Sequence, residues 1–191
     1  MTAQTPNTPE AQASGRERSE QYLVFFAADE AFALPIHRVR EIVQQGVITP
    51  VPMMPAFVRG VMNLRGHVVP VIDLAARFGQ GLVRPSKRTC TMLLELEQDD
   101  RTMLMGLMVD AVDSVVELAD ADIEAPPTFG TGFRTDFLSG MVKRETGFTL
   151  LVNLNTVLSL GDMKRLSVAA LEGARALPEL AQRVNETGDT E

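Results

Sequence analysis

Few side chains in this 191-residue chain are of the types that make or break bonds, and their spacing limits what chemistry they could do. Asp110 and Asp113, three apart in "MVDAVDSV", could share acid–base work. No nucleophile, second base or metal ligand stands beside them, so they read as a solvated turn. The single cysteine, Cys90, excludes an internal disulfide and a multi-cysteine zinc site. It lies in the alternating stretch "RTCTMLLELE", which reads as a strand burying it as a small packing residue. The two histidines, His37 and His67, keep no metal-ligand spacing with each other, with Cys90 or with paired acids. "FGTGF" at 129–133 resembles half of a phosphate loop, without the third glycine, the lysine or the preceding strand. No G-x-S-x-G, HExxH or complete P-loop occurs. One residue still asks for a purpose. Arg65 stands at the fold of the largely apolar hairpin "VMNLRGHVVPVID", residues 61–73.

The chain around that arginine has the size of one ordinary domain, with room for two lobes sharing a core, and its 45% hydrophobic content can fill that core. A net charge of -7 argues against a nucleic-acid binder or an electrostatic membrane anchor. Without tryptophan and with 5% aromatics, it offers no stacking platform for bases or sugars. No apolar run is long enough to cross a bilayer as a helix, and the first residues lack the apolar centre of a secretory signal. A cytoplasmic address is expected.

The elements that must position Arg65 follow from periodicity and turn chemistry. Residues 1–19 are rich in Thr, Pro, Gln and Ser and read as a flexible leader. The apolar runs Tyr22–Phe26 and Phe32–Ile36, separated by Asp29 and Glu30, predict a hairpin. "HRVREIV" fits a helical turn or a bulged strand, and "TPVPMMPAF" a rigid loop exposing Met53 and Met54. In the Arg65 hairpin, Val68, Val69, Val71 and Ile72 read as a strand buried on both faces, with Pro70 marking an edge or bulge. Asp73 is a predicted helix cap and Gly79 the stop. Thr89–Glu97 and Thr102–Val109 predict paired strands, whose Met92, Met103, Met105 and Met108 read as core filling. "VDAVDSVVEL" adds an extended segment, and "LSGMVKRETGFTLLVNL" a hairpin turning at Thr146 and Gly147. Met163, Leu166, Ala170, Ala174 and Leu177 keep helical spacing in a C-terminal segment, 162–191. About ten short strands with little helix predict an all-β fold of two small packed barrels, with no repeat of 20–50 residues.

The segments "FALPIHRVREIV", "PAFVRGVMNLRGHVVPVIDLAARFG", "GLMVDAVDSVVEL" and "FLSGMVKRETGFTLLVNLNTVL", in that order, resemble the CheW family of chemotaxis coupling proteins over residues 21–160. The regulatory domain of the kinase CheA shares that fold, and the likeness here is to the stand-alone adaptor. The resemblance implies two five-stranded SH3-like barrels on a shared hydrophobic core, with short helices and a C-terminal helix. It implies a domain at 20–161 that is a non-enzymatic scaffold without cofactor or metal, a free monomer recruited to membrane-associated receptor arrays. Its implied partners are the cytoplasmic hairpin tip of a chemoreceptor and the regulatory domain of CheA. Carried over by position, Val39, Glu41, Ile42 and Val112 face the receptor. Asn63, Arg65 and Gly66 meet the kinase, and Phe129 makes a second ring contact. On this reading the two surfaces are separately addressed, so charge reversal at Glu41 touches receptor binding alone. The competing readings are an enzyme using Asp110 or Cys90, a small-ligand binder, and the same adaptor in a twitching-motility or surface-sensing pathway.

Overall fold

The computed structural model describes residues 18–44, 46–98, 101–126, 134–145 and 147–159. Phe129 and the expected helix of 162–191 lie outside them. Eleven strands and two one-turn helices occur among the described residues: β1 Ser19–Ala27, β2 Glu30–Pro35, β3 Val39–Gln44, β4 Ile48–Thr49, β5 Val58–Leu64, β6 His67–Asp73, α1 Leu74–Arg77, β7 Cys90–Gln98, β8 Arg101–Val109, β9 Ala111–Ala119, β10 Leu138–Arg144, β11 Gly147–Val152 and α2 Leu154–Val157. They form two sheets, ordered β10-β11-β2-β1-β9 and β3-β7-β8-β6-β5-β4. The expected pair of five-stranded barrels is thus present, with the two-residue β4 as an extra rung. The first strand starts at Ser19, inside the stretch read as leader.

Both sheets close on themselves. In the second, the edge strands β3 and β4 are consecutive in the chain, joined by residues 45–47 alone. Such a link spans at most about 14 Å. Edges of a flat six-stranded sheet stand about 24 Å apart, so this one must curl. In the first, Glu124, just past β9, exchanges both backbone hydrogen bonds with Met141 on β10, each 2.9 Å. Two glycines allow these closures. Gly60 has φ +137°, and a Cβ there would lie 2.1 Å from the Thr49 carbonyl oxygen. At Gly140 a Cβ would meet Ile123 at 2.6 Å and the Glu124 carbonyl oxygen at 3.0 Å.

The parallel between these glycines reflects a long repeat that local patterning did not reveal. Reversing the second sheet to β5-β6-β8-β7-β3 matches β10-β11-β2-β1-β9 strand for strand, down to the parallel pairs β6·β8 and β11·β2. The bulges at Val58/Gly60 and Leu138/Gly140 correspond. So do the bonds from the Asp73 amide to the Phe57 carbonyl and from the Asn153 amide to the Phe137 carbonyl, 2.7 and 2.8 Å. Each lobe pairs the hairpin of one half-chain with the remaining strands of the other. That exchange welds the lobes together.

One hydrophobic core crosses the junction, with Phe25, Phe32 and Leu34 of the first sheet packed among Ile72, Met92, Leu94, Met105 and Leu107 of the second. Cys90, Met92, Met105 and Met108 are buried, as expected of packing residues. Arg77 is buried as well. Its guanidinium lies 4.6 Å from the Phe57 ring centre and 4.8 Å from that of Phe137, and its Nε donates to the Val157 carbonyl at 3.0 Å. A cation between two aromatic faces and the carbonyl end of α2 ties α1 to the opposite lobe.

The β6 strand departs from its expected burial. Val69, Val71, Ile72 and Asp73 are buried, but Val68 is 71% exposed. The strand projects past its neighbour, since β8 pairs with it only from Val71 to Asp73. This also explains Pro70. Although β6 lies inside the sheet order, Pro70 precedes the stretch paired with β8, so its missing N–H costs no ladder bond.

Candidate interaction site

Leu64 and His67 close the β5–β6 hairpin across a two-residue turn. Arg65 and Gly66 have φ of +50° and +89°, the double left-handed pattern that matches the twist of paired strands. The Asn63 Oδ1 accepts from the Gly66 amide at 2.9 Å, fixing the turn as its sequence suggested. A left-handed arginine costs roughly 1 kcal/mol relative to glycine or asparagine. Arg65 spends that strain at the very tip of the projecting hairpin. Its side chain is 78% exposed, and beside it stands the exposed Val68.

The only protein group the Arg65 guanidinium meets among the described residues is Glu41, Nη2 to Oε1 at 3.3 Å. Glu41 reaches it from β3, whose entry is a 3-10 turn at Ile36–Arg38 followed by a bulge between Val39 and Glu41. The stretch is therefore both of the forms its sequence allowed. The bulge also decides which way side chains point. Val39 and Ile42 pair with Leu94 and Met92, on the face of the shared core, whereas Glu41 pairs with Leu93 on the other face. Val39 and Val112 are half-buried and pack against that shared core, and Ile42 is exposed at its rim. The residues carried over for the receptor thus divide into an apolar group, Val39, Ile42 and Val112, and one carboxylate turned toward the hairpin tip. The pairing of Glu41 with Arg65 joins two surfaces expected to be separate. The two residues are 24 positions apart in sequence and meet only through closure of the barrel, so no local pattern could have announced it.

The groups weighed for catalysis are occupied elsewhere. The Asp110 Oδ2 accepts from the Ala28 amide at 2.8 Å and holds the β1–β2 turn, where Ala28 and Asp29 have φ of +51° and +66°. The Asp113 Oδ2 accepts from the Ser114 hydroxyl at 2.7 Å. Burial pushes the Cys90 thiol up, away from the reactive thiolate. His37 Nδ1 pairs with Glu20 at 2.8 Å on the surface. A cleft of about 450 Å3 gathers Asp29, Asp110 and Arg84, but its lining contains no Ser, Cys, His or Lys to serve as nucleophile. No group of three potential metal ligands forms among the described residues.

Asp73, the predicted helix cap, is a buried charge. It caps α1 through its Oδ1, which accepts from the Ala76 amide at 3.0 Å. Its Oδ2 accepts from the Val83 amide at 2.9 Å, and the Arg59 Nη1 lies 3.9 Å away. Burial nevertheless raises its pKa, outweighing those stabilising partners.

These features define a two-lobed all-β interaction module. Its distinctive polar groups stand on a projecting hairpin and on β3, in side-chain contact across the barrel. The CheW-like domain family model matches residues 21–161. The chemotaxis protein CheW of Rhizobium meliloti (strain 1021) is 34% identical over 137 residues, 72% of this chain and 86% of that protein. That of Klebsiella aerogenes is 30% identical over 150 residues, 78% and 88%. The crystal structure of the scaffolding protein TtCheW from Thermoanaerobacter tengcongensis superposes with a TM-score of 0.67 at 33% identity, covering 77% of this chain and 92% of that one. The chain belongs to the CheW family of chemotaxis proteins.

Proposed function

We propose that this protein is a non-enzymatic chemotaxis scaffold, which holds the cytoplasmic hairpin tip of a chemoreceptor and the regulatory domain of the kinase CheA in one complex. The single observation that carries this reading is a strained, exposed arginine on a stiff hairpin, paired with the Glu41 carboxylate of β3. A planar guanidinium presented without slack is the kind of anchor that dominates protein interfaces. The half-buried rim of Val39 and Val112 with exposed Ile42 suits the apolar stripe of an amphipathic helix. The kinase then approaches the tip bearing Asn63, Arg65 and Gly66, and Phe129, outside the described residues, supplies a further contact within a ring of such domains. The working location is the cytoplasmic face of receptor arrays. Among the described residues no helix is long and apolar enough to cross a membrane.

The test is sedimentation with receptor-bearing membranes. The labelled CheA regulatory domain should pellet only when both the receptor and this protein are present. Pelleting that is independent of this protein would end the proposal.

A further inference from the structure

Between Asp73 and Glu95 the chain carries no acidic residue, although its net charge is -7. Three cations of this stretch, Arg84, Lys87 and Arg88, stand exposed on the loop between α1 and β7, just after Leu82, which is itself 51% exposed. None of the three makes a side-chain hydrogen bond or ion pair among the described residues. The loop is nevertheless held stiffly. Val83, 3% exposed, is anchored by its amide to the buried Asp73 carboxylate at 2.9 Å. Beyond Pro85, the Ser86 amide donates to the Thr89 hydroxyl at 2.8 Å, the Arg88 amide to the Ser86 hydroxyl at 3.1 Å, and the Thr89 amide to the Ser86 carbonyl at 3.3 Å. Such bonding fixes the backbone before any partner arrives, which lowers the ordering cost of docking.

We propose that this loop is a third docking surface, fitted to an acidic protein segment whose carboxylates meet Arg84, Lys87 and Arg88 while an apolar side chain covers Leu82. Other anionic partners fit less well. A small phosphate would need free backbone donors, and the Ser86, Arg88 and Thr89 amides are already used within the loop. An anionic membrane is held by clusters of four to eight cations, more than the three this loop carries. Nucleic acid would find no exposed aromatic side chain in the loop to stack on, Phe78 being buried. Arg59 lines a neighbouring cleft together with Leu82, but its charge faces the Asp73 carboxylate at 3.9 Å, so the three loop cations carry the attraction themselves. The loop meets the Asp73 end of β6, and the Arg65 turn caps the other end. Seven residues of strand put these two surfaces about 20 Å apart, so one can be lost without the other.

The test uses the full chain and a labelled synthetic peptide of alternating Glu and Leu blocks, followed by fluorescence anisotropy. Binding should weaken about tenfold in an Arg84→Glu/Lys87→Glu/Arg88→Glu variant and severalfold on raising salt from 50 to 200 mM. The neutral Arg84→Gln/Lys87→Gln/Arg88→Gln variant should fall between, and Lys143→Glu/Arg144→Glu, on the opposite lobe, should bind normally. Circular dichroism establishes that each variant is folded. Equal affinity in the charge-reversed and parent proteins, or equal loss in the Lys143/Arg144 control, overturns the proposal. Tighter retention on phosphatidylserine vesicles than on the peptide overturns it in favour of a membrane.

Discussion

Replacing Arg65 by asparagine should make the protein no less stable while removing much of its affinity for the CheA regulatory domain. The left-handed φ of +50° at position 65 followed by Gly66 is the geometry for which Asn-Gly is preferred. Relief of that strain contributes roughly 1 kcal/mol to the folded state. Against it stands the lost ion pair with Glu41. Arg65 is 78% exposed and Glu41 35% at the side chain, so solvent screening limits the pair to about 0.2–1 kcal/mol. The difference lies between about zero and 1 kcal/mol of added stability, or a Tm unchanged to about 4 °C higher for a chain of this size. Binding should move the other way. A truncated hot-spot arginine costs about 2 kcal/mol or more, a loss of roughly thirtyfold in Kd. Differential scanning calorimetry and isothermal titration of the same preparation measure both quantities. A variant that melts several degrees lower, or one that binds the regulatory domain with parental affinity, would refute the reasoning that position 65 exchanges local stability for contact.

Three further outcomes follow from the same geometry. Glu41→Lys turns an attraction with Arg65 into a repulsion, so it should weaken the kinase domain as well as the receptor tip; titrations showing a loss confined to the receptor would mean that the pair does not couple the two surfaces. Gly60→Ala places a Cβ against the Thr49 carbonyl at a backbone angle closed to alanine, and should cost about 3 kcal/mol or more in urea denaturation; an unaltered midpoint would contradict closure of the second barrel through β4. For Asp73, burial raises the folded-state pKa above the unfolded value, so the folded state holds the extra proton and loses stability as pH rises from about 4 through that raised value. Stability relative to Asp73→Asn should therefore fall across that window and level off above it, and a difference that is flat or rises with pH would assign the wrong sign to the burial of this carboxylate.

The sequence exposed what depends on neighbouring residues and concealed what depends on closure. Turn chemistry placed the hairpins at Asp29, at Arg65–Gly66 and near Gly147, and the cap at Asp73, because each acts within a few bonds. Alternation identified Met92, Met105 and Met108 as core, while Met103 is only half-buried against it. Continuous hydrophobicity misled in β6, where Val68 continues an apolar run yet lies beyond the sheet that would cover it. The exchanged half-chains escaped notice because the repeat resides in bulges, parallel pairings and caps shared by dissimilar side chains, such as Asp73 and Asn153. For the candidate site, the resemblance nominated Asn63, Arg65, Gly66, Val39, Glu41, Ile42 and Val112, together with Phe129, which lies outside the described residues. It gave no sign that Glu41 reaches Arg65, a contact created only when the edges of the second sheet curl together. The bulge at Arg40, which separates Glu41 from the apolar rim of Val39 and Ile42, was equally invisible to an unbroken count of alternating positions.

The most direct test of the scaffold is sequential isothermal titration: a chemoreceptor tip fragment is added to this protein until saturation, and the CheA regulatory domain is then added to that complex. The account predicts saturable heat in both steps and a single 1:1:1 species by light scattering. Failure of either partner to bind, or release of the receptor fragment as the kinase domain enters, would contradict it.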